Sequence, residues 1–326
     1  MRLGWLGVAM LVALTQVGQS SAAERLRIAA QKTGTLTWEL DVIKAHGLAE
    51  KAGLDLVVTE LAAPEAGKIA LVGGSADVIL ADVMFVSRER ALGGGLQFAP
   101  YTSTLGAVMV PADSPIHGLE DLKRRKIGVA GGPLDKSWLM LRALARRAGL
   151  DLVHQAEPVY GAPKLLAVKA GQGELPAVLN YWNLCADLEA GGFRRVIDMA
   201  DVEMALGARG PVAMVGYAFE ESFARDHGDA LARFLDVSRQ ARDLLARSPA
   251  EWKRLAPRIG AASDAALEIY RARYAEGAAR RPLEDEEADA RALHRVLAAI
   301  GGADLVGPAT ELAPGTYWRR PAEAGR

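Results

Sequence analysis

Hydrophobic and polar positions along this chain follow two rhythms, a strand-like alternation and a helical period of three to four, and the two take turns. Arg25 to Ala30 alternates polar and apolar residues, which predicts a strand. A Thr/Gly loop then leads into an amphipathic run from about Trp38 to Ala52. Leu54 to Thr59 reads as the next strand, with Val57 and Val58 β-branched, and Ala76 to Ala81 is a short apolar run bounded by Gly73-Gly74 and Asp82. Next come a helix from about Val83 to Leu92, a Gly93-Gly94-Gly95 turn and strands near Gln97–Tyr101 and Gly106–Val110. Strands separated by helices of this length are the signature of βαβ units and a mostly parallel sheet.

A second series of the same kind begins after Pro111. Lys126 to Ala130 is a strand, Ser137 to Arg147 a helix, Pro163 to Lys169 another helix, Ala177 to Asn180 a buried strand and Arg195 to Ile197 a further one. The pattern breaks at Gly207 to Pro211 and resumes as a strand at Val212 to Tyr217. From Ala218 the chain reads as almost all helix. Ser248-Pro249-Ala250-Glu251 is a helix start with a Ser cap, Pro at the first position and Glu at the third. Glu284 to Glu287 open the last long helix, where carboxylates suit the positive dipole end, and are expected to be solvated.

The first residues stand apart from both rhythms. Arg2, an apolar stretch from Leu3 to Val17, and small residues at Ser21-Ala22-Ala23 form the three parts of a secretory signal peptide, cleaved before Glu24. The alternative is a retained anchor, but the apolar run is short beside a span of roughly 20 residues. Cleavage places the mature protein in the periplasm. The chain beyond Ala23 is too long for one ordinary core at roughly 100–200 residues per domain, so two domains are expected. Of the 326 residues 50% are hydrophobic and 24% charged, a globular composition, and a net charge of −1 argues against a nucleic-acid partner. Cys185 is the single cysteine, so no intrachain disulfide exists; a domain of this size can bury enough surface without one.

Catalytic motifs are missing. The glycines at 93–95 are followed by Leu96 rather than by a phosphate-loop lysine, no G-x-S-x-G occurs, and the five histidines have no metal-ligand spacing. Cys185, in an apolar helical context with no second cysteine, reads as an inert thiol. The chain is therefore read as a non-enzyme without cofactor or metal.

Several segments together resemble a known family. His46-Gly47-Leu48-Ala49-Glu50-Lys51-Ala52-Gly53-Leu54-Asp55-Leu56 looks like its first helix running into its second strand, and Gly74-Ser75-Ala76-Asp77-Val78 is similar to its G-x-x-D approach to the third. Ser114-Pro115-Ile116, then Leu119-Glu120-Asp121-Leu122-Lys123 and Lys126-Ile127-Gly128-Val129, resembles the segment that opens its second lobe. The family is that of ABC-importer substrate-binding proteins of the nitrate/sulfonate/taurine group, which includes thiamine-precursor binders. The resemblance spans roughly residues 25 to 245. It implies an α/β, two-lobed periplasmic binding protein fold (type II), each lobe a mostly parallel sheet flanked by helices. Lobe I would take residues 24–109 and 212–326, lobe II residues 110–211, and a small-molecule ligand would sit in the cleft between them. The same likeness implies a monomer delivering to an ABC permease at the membrane.

Ligands in such sheets lie beyond the carboxyl ends of strands, near helix N-termini. That rule nominates four loops. Gln31, Lys32, Thr33 and Thr35 offer polar groups and Trp38 a flat ring, unless Trp38 is core. Asp82 follows the third strand and is also a natural helix cap. Gly132, Asp135, Lys136 and Ser137 combine a glycine-rich turn, a helix start and a positive charge; Asp135 competes against an anion there, unless it caps the helix or orients Lys136. In the family layout Asn180, Tyr181 and Trp182 face the cleft from the second lobe. Thr102, at the end of a strand, and Arg209, beside the second crossing, complete the set. Because Trp38, Trp138, Tyr181 and Trp182 accompany Lys32 and Lys136, a planar acidic molecule such as a quinone-type cofactor is expected ahead of a short alkanesulfonate. The family likeness favours the sulfonate or a thiamine precursor. An exported enzyme, or a periplasmic accessory protein of a redox system, is the rival on the same fold.

Overall fold

A computed structural model describes residues 23–261 and 263–320. The expected leader, Ala23 apart, lies outside the described residues. The first series gives β1 (Glu24–Gln31), α1 (Thr35–Ala45), α2 (Leu48–Lys51), β2 (Leu54–Leu61), α3 (Pro64–Val72), β3 (Val78–Asp82), α4 (Val83–Ala91) and β4 (Leu96–Thr102). The long helix expected from Trp38 to Ala52 is broken in two. Gly47 stands between the pieces at φ 60°, a conformation glycine adopts without a Cβ penalty.

The second series gives β5 (Gly106–Pro111), β6 (Lys126–Ala130), α5 (Lys136–Arg147), α6 (Leu152–Gln155), β7 (Glu157–Gly161), α7 (Pro163–Gly171), β8 (Ala177–Tyr181), α8 (Trp182–Ala190), β9 (Phe193–Asp198) and α9 (Met199–Leu206). The chain then returns through β10 (Val215–Glu220), three residues later than the strand expected at Val212. It ends in α10 (Glu221–Asp226), α11 (Gly228–Arg247), α12 (Pro249–Ile259), α13 (Asp264–Glu276), α14 (Leu283–Gly301) and α15 (Ala303–Val306).

Two five-stranded sheets result, in the orders β2-β1-β3-β10-β4 and β7-β6-β8-β5-β9. Each has four strands running one way, and its fourth place holds one antiparallel strand. In each sheet that strand arrives directly from the other sheet's half of the chain. The core strands β3, β5 and β8 are buried almost throughout, as strands covered by helices on both faces must be. All of β5 pairs within the second sheet, so a lobe boundary at 109/110 falls inside a strand; the first crossing is residues 103–105. The second crossing is residues 207–214.

The tail belongs to both lobes rather than to lobe I alone. Helix α11 packs on α1, whereas α13 packs on α8 and α14 on α5 and α9. Between them the tail straps both crossings. Ser103 N–H and the Thr102 hydroxyl donate to Gly277 O at 3.0 and 3.1 Å, and a backbone bridge joins Thr102 to Ala278. Arg281 donates to Gly210 O and Pro211 O at 3.0 and 3.1 Å, and Asp289 accepts from Arg209 N–H at 2.9 Å. Glu286 accepts from Ala213 N–H, and Glu203 from Val212 N–H. The acidic start of α14 is thus not all solvated: Glu286 and Asp289 are buried against the second crossing. Burial of a carboxylate is tolerated there because backbone donors that would otherwise lack partners meet it.

Candidate functional site

The loops at the carboxyl ends of the strands meet across the two sheets. Asp82 ends β3 and caps α4 by accepting from Phe85 N–H at 2.9 Å. In the other lobe Asp135 caps α5, accepting from Ser137 and Trp138 N–H at 2.9 and 3.3 Å and from the Tyr181 hydroxyl at 3.2 Å. The turn before it depends on Gly131, at φ 80°, where a Cβ would come within 2.4 Å of the Tyr181 hydroxyl oxygen. Lys136 reaches over the gap to Asp82 at 3.9 Å, and Lys68 approaches the same carboxylate at 3.7 Å. Burial pushes the Asp82 pKa up, but Lys136, Lys68 and the Phe85 amide outweigh it and hold it below the usual carboxylate range. Asp135 goes the other way, raised by burial against the opposing pull of Lys136. Lys136 therefore stands between two carboxylates.

Beside this polar contact the lobes meet through rings. Trp38 of α1 and Trp182 of α8 pack edge to face at 5.9 Å, and Tyr270 of α13 touches both, at 5.8 and 6.0 Å. Trp252 and Tyr274 extend the cluster. Such pairs add about 0.5–1.5 kcal/mol each beyond the area they bury. Trp138 takes no part: it is fully buried under the second sheet, against Tyr160.

A cavity of about 420 Å³ opens next to these rings. Thr35, Tyr101 and Thr102 line it from the first lobe, Trp182 from the second, and Tyr274 and residues 277–280 from the tail. Its remaining wall is one face of α11: Arg239, Arg242, Asp243, Ala246 and Arg247, the i, i+3, i+4, i+7, i+8 spacing of a helix side. With Arg280 this makes four arginines against one aspartate.

Below the cavity lies Glu39, fully buried. It accepts from the Ser238 hydroxyl at 2.8 Å, from Tyr217 at 3.5 Å and from Tyr274. Burial raises its pKa, and Arg242 and Tyr274 partly offset that. Cys185 is buried, its thiol pushed up to about 12 by loss of solvation, which makes it a poor nucleophile. Among the described residues no group of three or more His, Cys, Asp or Glu is placed to hold a metal.

The structure brings Thr35, Thr102 and Trp182 to the cavity, and Asp82, Asp135, Lys136, Ser137 and Tyr181 to the interlobe polar contact, with Gly132 in its turn. Gln31 is half-buried at the end of β1, and Lys32 and Thr33 are exposed on the loop after it, none of them lining the cavity. Asn180 is buried and committed, donating to Pro163 O and accepting from Tyr181 N–H, both at 2.9 Å. Arg209 is tied to Asp285 and Asp289 at 3.0 and 3.2 Å rather than turned to the cavity. The arginine face of α11 and the tyrosines of α13 are absent from the sequence-predicted set. Their signal was available: three arginines on one helical face, in a tail read only as generically helical.

A family model described as NMT1/THI5 like matches residues 42–252, more than half of the chain. Among solved structures, the periplasmic aliphatic sulphonate binding protein SsuA of Escherichia coli is 22% identical, with 93% of this chain and 94% of that one covered and a TM-score of 0.73. The alkanesulfonate-binding protein SsuA of Xanthomonas axonopodis pv. citri, bound to MOPS, is 21% identical over 92% and 100% at a TM-score of 0.68. A Candida albicans gene product exhibiting the generic periplasmic binding protein structural fold is 12% identical over 92% and 99% at 0.59. No curated protein matches the chain in sequence. The likenesses establish the fold, a two-lobed α/β periplasmic binding protein fold.

Proposed function

Because the chain belongs to the NMT1/THI5-like family, we propose that it is the solute-binding component of an ABC importer, exported to the periplasm, which captures a small organic anion between its lobes. The observation that carries this reading is the cavity that draws Trp182 from one lobe and Thr35 and Thr102 from the other, under four arginines and one aspartate. Its volume is in the range of about 300–1,000 Å³ that suits small ligands. The lobes contribute jointly, so a ligand held there favours the closed arrangement.

A compact organic sulfonate comes ahead of a planar quinone-type molecule. Trp38 and Trp182 meet edge to face and Trp138 lies in the core, so the three tryptophans frame no parallel slot for a flat ring. Two of the similar structures are of sulfonate-binding proteins, which weighs in the same direction.

Native mass spectrometry of protein taken from a periplasmic extract tests the proposal. The expected spectrum shows a chain lacking its first 23 residues and carrying one small acidic molecule released intact on unfolding. A full-length chain confined to the cytoplasm contradicts export. Recovery of the molecule as a converted product contradicts a binding role.

A further inference from the structure

The positive groups around the cleft are not equivalent. Lys136 is compensated by Asp82 and flanked by Asp135. On the cavity rim Arg239 pairs with Asp236 at 2.5 Å, and Arg280 and Arg247 share Asp243 at 3.3 and 4.0 Å. These three arginines are largely exposed, where ion pairs and charges are screened by water and salt. Arg242 differs. Its guanidinium lies over the Tyr101 ring, 5.3 Å from the centroid, and Nη1 donates to Tyr101 O at 2.6 Å. Nε is buried with no partner, and Nη2 is neither bonded nor sealed among the described residues. A guanidinium has five N–H donors, and among the described residues only one hydrogen bond from this one is made.

Unmet donors on a partly buried cation cost stability unless something accepts them. The cavity is where an acceptor can arrive. Beneath the guanidinium, Glu39 and the hydroxyls of Tyr217, Ser238 and Tyr274 fix its surroundings. Burial opposes the Arg242 charge and the nearby Glu39 favours it, and the guanidinium stays protonated. The facing walls are Trp182 and Tyr274, and the polar hydrogens of Thr102 and Tyr101 are already given to Gly277 O and Thr35.

We propose that Arg242 is the residue that selects the ligand's charge, and that the ligand is an organic acid whose oxyanion head sits on the free edge of this guanidinium while its apolar body lies against Trp182 and Tyr274. This rests on the reading of the cavity as the capture site. The planar N–H fork matches a sulfonate or a carboxylate, and it rejects an amine of the same shape. The rim arginines act at longer range, raising the local anion concentration and speeding encounter.

The test is titration of hexanesulfonate, hexanoate and hexylammonium into refolded, ligand-free protein, followed by tryptophan fluorescence, which Trp182 makes sensitive to the cavity. The parent should bind one or both acids and not the amine; which acid is tighter identifies the head group. Arg242→Met should weaken acid binding by about 10- to 100-fold, the loss of a charge-assisted hydrogen bond. Arg242→Lys keeps charge but not the fork and should fall between the two. Arg225→Met, at an exposed pair partner of Asp226 that does not line the cavity, should bind like the parent. If Arg242→Met melts below the assay temperature, Arg242→Lys decides. An Arg242 variant that is folded and binds the acids within twofold of the parent overturns the assignment while leaving the anion site standing. A parent that binds neither acid, or binds the amine as well, overturns the anion reading itself.

Discussion

Glu203 has no exposed surface, and only one of its carboxylate oxygens is partnered, by Val212 N–H at 3.0 Å. Burial raises its pKa well above the carboxylate range, and the neighbouring Glu286 adds to the effect. A folded pKa above the unfolded one means that Glu203 contributes stability below the usual carboxylate range and loses it as pH rises through the folded value. Glu203→Gln keeps the acceptor for Val212 and cannot ionise. Its melting temperature should match the parent's near pH 4 and exceed it increasingly toward pH 8, by the equivalent of about 1–3 kcal/mol. A constant difference across thermal melts from pH 4 to 8 would show that Glu203 does not titrate in this way. At this scale the caps were legible in the sequence, because a cap is local: Asp82, Asp135 and Ser248 all accept from the helix starts they precede. Arg242 was not, since its meaning comes from Tyr101 and Glu39, which are remote in sequence.

Among the elements, the loop from α13 to α14 has the largest consequence. Gly277 packs against the first crossing so closely that a Cβ would sit 1.7 Å from the Thr104 hydroxyl oxygen and 2.7 Å from that of Thr102. Its φ is ordinary, so the constraint is contact alone. Gly277→Ala should push the strap off the crossing, costing about 1–3 kcal/mol by overpacking, and should weaken ligand binding because residues 277–280 line the cavity. Denaturant unfolding together with a binding titration checks both. A variant as stable as the parent would mean that the strap gives way freely. The strands that fill the sheet interiors were readable as apolar runs. Helix α3 was not, because it buries only Gly67 and Leu71 and leaves Ile69 and Val72 exposed, which erases amphipathic contrast. The same holds for β7, a sheet-edge strand with no fully buried position.

Over the whole molecule, the two lobes repeat one strand order, and each receives its antiparallel strand from the other's half of the chain. That duplication is visible in the sequence as two successive βαβ series separated by breaks. The division of the helical tail between the lobes is not, because nothing local reveals that α13 packs on α8 and α14 on α5. Arg273 of α13 also pairs with Glu189 of α8 at 2.9 Å, so the tail reinforces the lobe contact near the cavity. A ligand that binds only the folded protein stabilises it by mass action, about 2.7 kcal/mol at a hundredfold excess over Kd. Small-angle X-ray scattering on refolded, ligand-free protein, with and without the molecule released from the native protein, tests the central claim most directly. A capture protein should show a smaller radius of gyration once the molecule is added and return that molecule chemically unchanged. An unchanged radius with the molecule consumed would contradict capture and make the chain an enzyme on this fold.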